Sequence, residues 1–366
     1  MKNLSIFKQL AITSAFVSSI ATSAQSVIIV DNNSTQPGVQ NNLQTAITNA
    51  AAGSTIYVQP SSTSYGTVEI SKKIILVGAK HSGDDLSSMI DYINLVEGSK
   101  DTTIKGLKIN TLQNASPQLL ENISVRECKV SSLNVSAYSS LNNPKNWTIE
   151  GNYINAINAY YNVEDLVIKN NIIQSLNIYK SATVLITQNI FNGSGGISYY
   201  DQDTGNKLVI SNSIFITNSG CFGNYGINIY GRIDIQNSLT YNYGSSGVYN
   251  FEENNNDNYA TQYTGMKLNQ DPKFVNVNKS QSISTQADYS IANYFELNFL
   301  TDNLRLQSGS PAKAAGIAGE DLGIYQNYDY RNVGNPFGIP TIKIGSYSSS
   351  VPAGSNLSVS ITAKAQ

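Results

Sequence analysis

Short alternating runs of apolar and polar residues recur along most of this chain, and one six-residue pattern returns at a regular interval. The pattern begins with IKGLKI at residues 104–109 and has an apolar residue at each end. Similar segments occupy residues 125–130, 149–154, 168–173, 186–191, 210–215 and 235–240. Their first residues are therefore 21, 24, 19, 18, 24 and 25 positions apart. A motif with this interval predicts a solenoid, in which each repeat packs mainly on its neighbours.

Each repeat contains two short runs with the two-residue period of a β-strand, and almost none of it has helical spacing. Between the two runs lies Gly or Asn, at positions 106, 151, 170, 212 and 237. Both residue types tolerate the left-handed backbone that a bend between two strands requires. Strands joined by so tight a bend pair instead with their equivalents in the next coil, about 4.8 Å away, and stacked Asn side chains can bond from coil to coil. The sequence therefore predicts an all-β fold, a parallel β-helix.

The N-terminal part of the chain predicts a cap for this solenoid, whose first coil would otherwise expose its core and a strand edge. An apolar stripe with helical spacing consists of Val39, Leu43, Ala46, Ile47 and Ala50. We expect this helix to cover the first coil. A helix that binds a partner is the alternative.

The chain beyond Pro340 alternates apolar and polar residues on both sides of the turn sequence VPAGSN. Its apolar positions are Ile342, Ile344, Leu357, Val359 and Ile361. This pattern predicts two C-terminal strands. They either close the last coil or offer an edge to a protein partner through residues 340–366 by β-augmentation. In the second case the protein is a structural component of a surface assembly.

Several segments outside the repeats carry a family resemblance. They are VIIVDNN, NNLQTAITNAAAG, STIYVQP and KKIILVGAK near the start, and QDPKFVN, DNLRLQSGSPAKAAG and DLGIY near the end. With the repeats, the chain resembles the secreted right-handed parallel β-helix proteins of bacteria, the pectin-lyase-like superfamily, over roughly residues 27–325. The resemblance implies a right-handed coil. It implies no single activity, because this superfamily includes lyases, hydrolases and adhesins. The arginine–proline cluster of pectate lyases and the aspartate and histidine motifs of polygalacturonases are not found.

The first residues predict export from the cell. Lys2 and Lys8 precede an apolar run over residues 10–24 that ends in the small residues ATSA. This order is typical of a signal peptide over residues 1–24, with cleavage near Ala24. The run is too short and too rich in Ser and Thr to span a membrane. We expect a secreted, extracellular or cell-surface protein, with a β-helix domain over residues 25–335 and a β-strand tail over residues 336–366.

The composition bears on nucleic-acid binding, on disulfide bonds and on the role of the single histidine. Only 13% of the residues are charged and the net charge is −2, which argues against nucleic acid as a partner. The two cysteines, Cys128 and Cys221, do not make a disulfide framework, although they could pair in an exported protein. Cys128 occupies a repeat position that other coils fill with Asn or Ser, which favours local packing. The single histidine, His81, lies in a loop sequence and is expected to be solvated.

One strand of each coil carries a repeated aromatic position. In the segment LNIY at residues 176–179, alternation directs Leu176 and Ile178 inward, and Asn177 and Tyr179 outward. The same register predicts an outward column of Tyr160, Tyr179, Tyr200, Tyr230 and Phe251. A second outward column contains Asn134, Asn158, Asn177, Ser198, Asn228 and Tyr249.

These columns have two interpretations. Stacked aromatic residues stabilise a sheet by about 0.2–1 kcal/mol for each cross-strand pair, so the columns can be purely structural. Alternatively, aromatic faces stack on sugar rings and amides bond hydroxyl groups, so the columns form a platform for a polysaccharide or cell-surface glycan. The spacing of the coils is close to the rise per sugar of an extended chain. The sequence therefore predicts a glycan-binding protein that is not catalytic.

An enzyme acting on the same face is the alternative. Lys180, Asp201 and Glu252 follow the aromatic column and are candidate catalytic residues for a polysaccharide lyase or a glycoside hydrolase. Asp201 and Asp203, in the loop DQDTGN, are weak candidates for a Ca²⁺ site, since the loop lacks the full ligand spacing. A surface ion pair with solvated loop acids explains the same residues. No cofactor is required by the binding interpretation.

Overall fold

The computed structural model describes most of the chain outside its first 25 residues. It describes residues 26–35, 37, 39–83, 86–136, 144–161, 163–179, 183–201, 207–217, 227–230, 232–242, 254–256, 259–277, 297–336, 341–347, 354–356 and 359–364.

One strand of each coil belongs to a 12-stranded sheet. In spatial order its strands are β1 (Val27–Val30), β2 (Thr55–Val58), β4 (Ile75–Gly78), β6 (Thr103–Lys105), β8 (Ser124–Arg126), β10 (Thr148–Glu150), β12 (Leu166–Lys169), β14 (Val184–Thr187), β16 (Lys207–Ser211), β19 (Arg232–Gln236), β22 (Tyr259–Thr264) and β21 (Asn254–Asn256). Neighbouring strands are parallel except for the last pair. Each strand therefore pairs with its equivalent in the next coil, as the repeat predicted.

The other strand of each coil belongs to a second, parallel sheet of ten strands. These strands are β3 (Thr67–Ile70), β5 (Met89–Leu95), β7 (Lys108–Asn114), β9 (Lys129–Ser136), β11 (Tyr153–Tyr160), β13 (Ile172–Tyr179), β15 (Ile190–Tyr200), β17 (Ile214–Thr217), β18 (Ile227–Tyr230) and β20 (Leu239–Asn242). Both β17 and β18 pair with β15, along different parts of its length. Inward side chains from both sheets form one core that includes Trp147, Tyr199 and Phe215. The predicted parallel β-helix is confirmed.

The bends between the two sheets have the left-handed backbone that their sequence predicted. The φ angle is 70° at Gly106, 56° at Asn170 and 49° at Asn212. Glu127 and Gln188 occupy the same bend in their coils, with φ angles of 52° and 56°. A glutamate or glutamine is strained in this region, so the architecture imposes the bend even where the residue does not favour it.

A row of buried amides lies just after these bends. The side-chain oxygen of Asn171 accepts hydrogen bonds from the backbone nitrogen of Asn152 at 2.9 Å and from its amide at 3.0 Å. Asn189 does the same for Asn171, at 3.0 and 3.1 Å. Ser213 and Ser238 continue the row. Each side chain satisfies backbone groups that the bend would otherwise leave unpaired in the core.

A short helix covers the first coil. Helix α1 (Leu43–Asn49) begins after Asn42, whose side-chain oxygen accepts a hydrogen bond from the backbone nitrogen of Thr45 at 2.8 Å. Leu43, Ala46 and Ile47 are buried in the core of the solenoid. The predicted apolar stripe is therefore confirmed at these positions. It was wrong at Val39, which precedes the helix and is 37% exposed.

The C-terminal part of the solenoid domain turns back along the outside of the coils. The antiparallel strands β23 (Phe274–Asn276) and β24 (Asn303–Leu306) lead into residues 312–336, which we name the return strap. The backbone nitrogen of Gly323 bonds the carbonyl of Asn212 at 2.9 Å, and the amide of Asn170 bonds the carbonyl of Ile324 at 3.1 Å. Further along, Val333 accepts a hydrogen bond from the backbone nitrogen of His81 at 2.9 Å. The strap therefore runs from late coils towards early ones.

A second apolar core lies beneath this strap. An outward row at the start of the second-sheet strands consists of Tyr153, Ile172, Ile190, Ile214 and Leu239. It is covered by residues that include Leu297, Leu304, Leu322, Ile324 and Tyr330. This row is the fifth position of the six-residue repeat, which holds Lys108 and Lys129 in early coils and apolar residues in later ones. The outer side is therefore apolar only in the later coils, where the strap covers it.

The two predicted C-terminal strands are present and pair with each other. Strand β25 (Thr341–Tyr347) is antiparallel to β26 (Val359–Lys364). Among the strands that the structure describes, this hairpin extends neither sheet of the solenoid. The described residues also contain no helix with the length and apolar character needed to cross a membrane.

Candidate ligand-binding face

The predicted aromatic and amide columns lie side by side on the second sheet. Tyr160 pairs in register with Tyr179, Tyr179 with Tyr200, and Tyr200 with Tyr230. The amide column likewise runs in register through Asn134, Asn158, Asn177, Ser198 and Asn228. The registers are therefore confirmed as far as Tyr230 and Asn228. Tyr249 and Phe251 lie outside the described residues.

Alternation positions these side chains, as the period-two pattern requires. Leu176 and Ile178 are fully buried, whereas Asn177 and Tyr179, which alternate with them, are half-buried on the outer face. Strand β15 contains an irregularity, since Ile173 pairs with Phe191 and Ser175 with Gly196. The register recovers beyond it because Ile197 and Tyr199 must both enter the core. We name the outer side of the last part of strands β9, β11, β13 and β15 the ladder face. It consists of residues 132, 134, 136, 156, 158, 160, 175, 177, 179, 196, 198 and 200.

The tyrosine rings pack mainly against each other. The ring centroids of Tyr160 and Tyr179 are 4.8 Å apart with a tilt of 57°, and those of Tyr179 and Tyr200 are 5.7 Å apart with a tilt of 25°. Tyr179 therefore has a ring on each side and presents its edge and hydroxyl group outward. Tyr200 is the most exposed of the three, at 36%. The faces of the Tyr179 ring are therefore covered along the row by its two neighbours.

The amides form a chain of hydrogen bonds with one direction. Asn177 donates to the side-chain oxygen of Asn158 at 2.8 Å, and Asn158 donates to that of Asn134 at 2.8 Å. The hydroxyl of Tyr160 also donates to Asn158, at 3.3 Å. The pKa of Tyr160 is raised by burial and then by Tyr179, so this phenol stays protonated and remains a donor. An amide has two N–H groups, so Asn158 keeps one without a partner in the described part of the chain.

Of the candidate catalytic and metal residues, Asp201 is the one that the described part of the chain includes. Asp201 is only 3% exposed, and its carboxylate accepts a hydrogen bond from the buried hydroxyl of Tyr199 at 3.4 Å. Burial and the neighbouring Asp201 raise the pKa of Tyr199. Lys180, Asp203 and Glu252 lie outside the described residues. Within the described ranges, no three His, Cys, Asp or Glu side chains form a group that could hold a metal ion.

His81 is buried against the return strap, so the expectation of a solvated loop histidine was wrong. Its exposure is 1%, its Nδ1 lies 2.9 Å from the hydroxyl of Ser82, and its ring meets Phe299 edge-on at 5.6 Å. Its Nε2 has no hydrogen-bond partner in the described part of the protein. Burial, and then the charge of Lys129, lower the pKa of His81 to about 3. The imidazole is therefore neutral and helps to anchor the strap.

Cys128 is a free thiol that packs locally in the row of buried amides. Its backbone nitrogen donates to the side-chain oxygen of Asn152 at 2.9 Å, and its sulfur lies 3.1 Å from the carbonyl oxygen of Arg126. Burial raises the pKa of the thiol to about 12, so it is a poor nucleophile. Cys221 lies outside the described residues.

Sequence analysis missed an ionic cluster on the first sheet. The buried carboxylate of Glu150 pairs with Arg126 at 2.6 Å and with Lys169 at 3.0 Å, on the neighbouring coils. Burial raises the pKa of nearby Glu127, against the opposing charge of Lys105. Tyr328 of the strap adjoins both carboxylates, and its pKa is raised by burial and then by Glu127. Opposite charges at one repeat position in successive coils were the signal that could have revealed this cluster.

No protein-family model matches this chain, and no curated protein matches it. The geometry of the ladder face therefore carries the functional argument alone.

Proposed function

We propose that this protein is exported and binds a polysaccharide along the ladder face without cleaving it. We also propose that it is a member of the pectin-lyase-like superfamily whose signal peptide is residues 1–24. The observation that supports binding is the in-register row of tyrosines and amides on consecutive coils. Such a row offers equivalent hydrogen-bonding groups about every 4.8 Å. A polymer with a repeated, hydroxyl-rich unit is the ligand that can use every rung.

The experiment is a binding screen of residues 25–366 against soluble and insoluble polysaccharides, with and without Ca²⁺, and with an assay for new reducing ends or unsaturated products. We expect binding without products. Tyr179→Ala and Asn177→Ala should each weaken it. Tyr92→Ala is the matched control, because Tyr92 is an exposed tyrosine of the same sheet outside the ladder face. Equal binding by Tyr179→Ala and the parent, with both variants folded, would exclude the proposal.

Export is tested separately by the mass of the mature protein. Cleavage near Ala24 would leave Gln25 as the first residue. A secreted protein that retains residues 1–24 would contradict the assignment of a signal peptide.

An enzyme is the weaker candidate, because Asp201 is buried beside Tyr199 rather than exposed on the ladder face. Products that disappear in Asp201→Asn but not in Tyr92→Ala would reverse this order. Product formation that requires Ca²⁺ would indicate that this ion is a cofactor of the enzyme.

The hairpin of β25 and β26 favours a second function, assembly with a protein partner. A two-stranded sheet is marginally stable in water unless other strands or a helix pack on it. Among the described strands this hairpin pairs only with itself. Deletion of residues 340–366 should leave the solenoid folded and abolish co-purification of the partner. A truncated chain that retains every partner of the full protein would exclude this role.

A further inference from the structure

We infer that the ligand of the ladder face is an uncharged, extended polysaccharide, which the protein recognises through tyrosine hydroxyls and amide groups at the edges of the stacked rings. This inference rests on the proposed function, because it names the chemical class of the ligand for the same face. It depends on two independent observations, the absence of charge among the ladder residues and the packing of the rings.

None of the residues that define the ladder face carries a charge. All twelve positions carry Ser, Ala, Asn, Gly or Tyr. The amide column continues without charge into earlier coils through Asn94 and Gln113, whose side chains are joined by a hydrogen bond of 2.8 Å. Glu69, an acid, pairs with Asn94 at the start of that column. No Lys or Arg therefore stands among the defined ladder residues to meet an anionic sugar.

Desolvation then favours a neutral ligand over a polyuronate. A carboxylate that loses water against amides and phenols needs a counter-charge, and the ladder residues provide none. A sugar hydroxyl loses much less hydration and both donates and accepts hydrogen bonds, as do amides and phenols. A neutral chain can therefore exchange its bonds with water for bonds with the rungs at little cost.

The ring packing decides how the tyrosines contact this ligand. Since Tyr179 is enclosed by Tyr160 and Tyr200, at 4.8 and 5.7 Å, its ring faces are not available along the row. Its hydroxyl has no hydrogen-bond partner in the described residues, and neither does one N–H group of Asn158. The short side chains of Ala156 and Ser175 lie beside the amide column, in which Asn158 and Asn177 are half-buried. The Tyr179 hydroxyl and this N–H group of Asn158 therefore lie on neighbouring coils, where one extended ligand can reach both.

The test uses the full mature chain, residues 25–366, in affinity electrophoresis against a soluble neutral β-glucan and against polygalacturonate, at low and high ionic strength. We expect retardation by the neutral polymer that does not change with salt. Tyr179→Phe, which removes only a hydroxyl, should weaken binding about two- to tenfold, the effect of one hydrogen bond. Tyr92→Phe is the matched control and should bind as the parent does.

Three results would overturn this inference, and they are distinguishable. Salt-dependent binding to polygalacturonate that Tyr179→Ala abolishes would refute the neutral ligand but keep the proposed function. Full binding by Tyr179→Phe, with loss in Tyr179→Ala, would show that the ring rather than the hydroxyl makes the contact. Failure of every polysaccharide tested to bind the folded parent would remove the proposed function and this inference together. Unfolding curves of Tyr179→Phe should match the parent, because no described group bonds that hydroxyl.

Discussion

Replacement of Gly151 by alanine should displace the return strap from the solenoid. Gly151 lies in the bend of its coil with a φ of 71°, and Tyr328 of the strap packs directly on it. A Cβ at this position would lie 1.9 Å from the hydroxyl oxygen of Tyr328, 2.5 Å from its Cζ and 2.7 Å from its Cε1. The ring therefore has to move as a whole, since even a phenylalanine would clash.

The magnitude has two parts. Alanine in the left-handed region costs roughly 1–2 kcal/mol. Tyr328 is half-buried, so its displacement costs about half of the 1.5–3 kcal/mol for full burial of a large apolar side chain, or about 0.8–1.5 kcal/mol. We expect Gly151→Ala to lower the free energy of unfolding by about 2–3.5 kcal/mol. Gly66→Ala is the matched control, because its φ is 76° and no atom lies within 4 Å of the added Cβ. It should show the backbone cost alone.

A double-mutant cycle with Tyr328→Ala isolates the contact. In that background Gly151→Ala should cost only about as much as Gly66→Ala, with a coupling of about 0.8–1.5 kcal/mol between the two sites. The assay is urea unfolding, with hydrogen exchange of residues 320–336 as a local measure of strap docking. A similar loss of stability in Gly151→Ala and Gly66→Ala, with no faster exchange in the strap, would refute the reasoning. So would a cost of Gly151→Ala that persists unchanged without the tyrosine ring.

Three further predictions concern buried groups. His81, with its pKa lowered to about 3, stays neutral in the folded protein, whereas the unfolded chain takes up a proton on this residue below about pH 6.5. The free energy of unfolding should therefore fall as the pH falls from about 6.5 towards 3, and it should fall less steeply in His81→Phe. An equal pH dependence of urea unfolding in both proteins would contradict this. Lys129→Met should also reduce the slope, because its charge contributes to the lowered pKa of His81. Asn171→Ala should destabilise the protein by about 2–4 kcal/mol, since it leaves buried amide and carbonyl groups of adjacent coils without partners. The control is Asn110→Ala, at an exposed residue, which should change the free energy of unfolding by less than about 0.5 kcal/mol. Equal effects of the two substitutions would refute a role for the buried row. Cys128 should not react with a thiol reagent until the protein unfolds, since its thiol is buried with a pKa of about 12, and rapid labelling of Cys128 in the native protein, located by peptide mass, would contradict the structure.

Much of the ladder face was predictable because it depends on two short-range patterns. The period of two in LNIY separates Leu176 and Ile178 from Asn177 and Tyr179, and the repeat interval aligns each coil with the next. Together they determine which residues share a column, without knowledge of any distant contact. The orientation of the rings within the column was not predictable, because it depends on how neighbouring side chains fill the space between coils.

The burial of Asp201 follows a local pattern, whereas the burial of His81 does not. Asp201 continues the alternation inward after Tyr200, so its carboxylate meets Tyr199 instead of the ladder face. The sequence around His81 is that of a loop, but Val333 of the strap, some 250 positions later, bonds its backbone, and Phe299, which precedes the strap, packs on its ring. Nothing within a window of a few residues around His81 reports this contact.

By itself the sequence determined the coil, its left-handed bends, the helix at its first end and the register of the tyrosine and amide columns, because each follows from a repeat whose neighbours are its own copies. Only the tertiary structure decided the path of the return strap, the second core over Ile172 and Ile214, and the tight contact of Tyr328 with Gly151. These features join segments more than one hundred residues apart, and they form because a later segment covers an apolar row that the coils alone would leave in water.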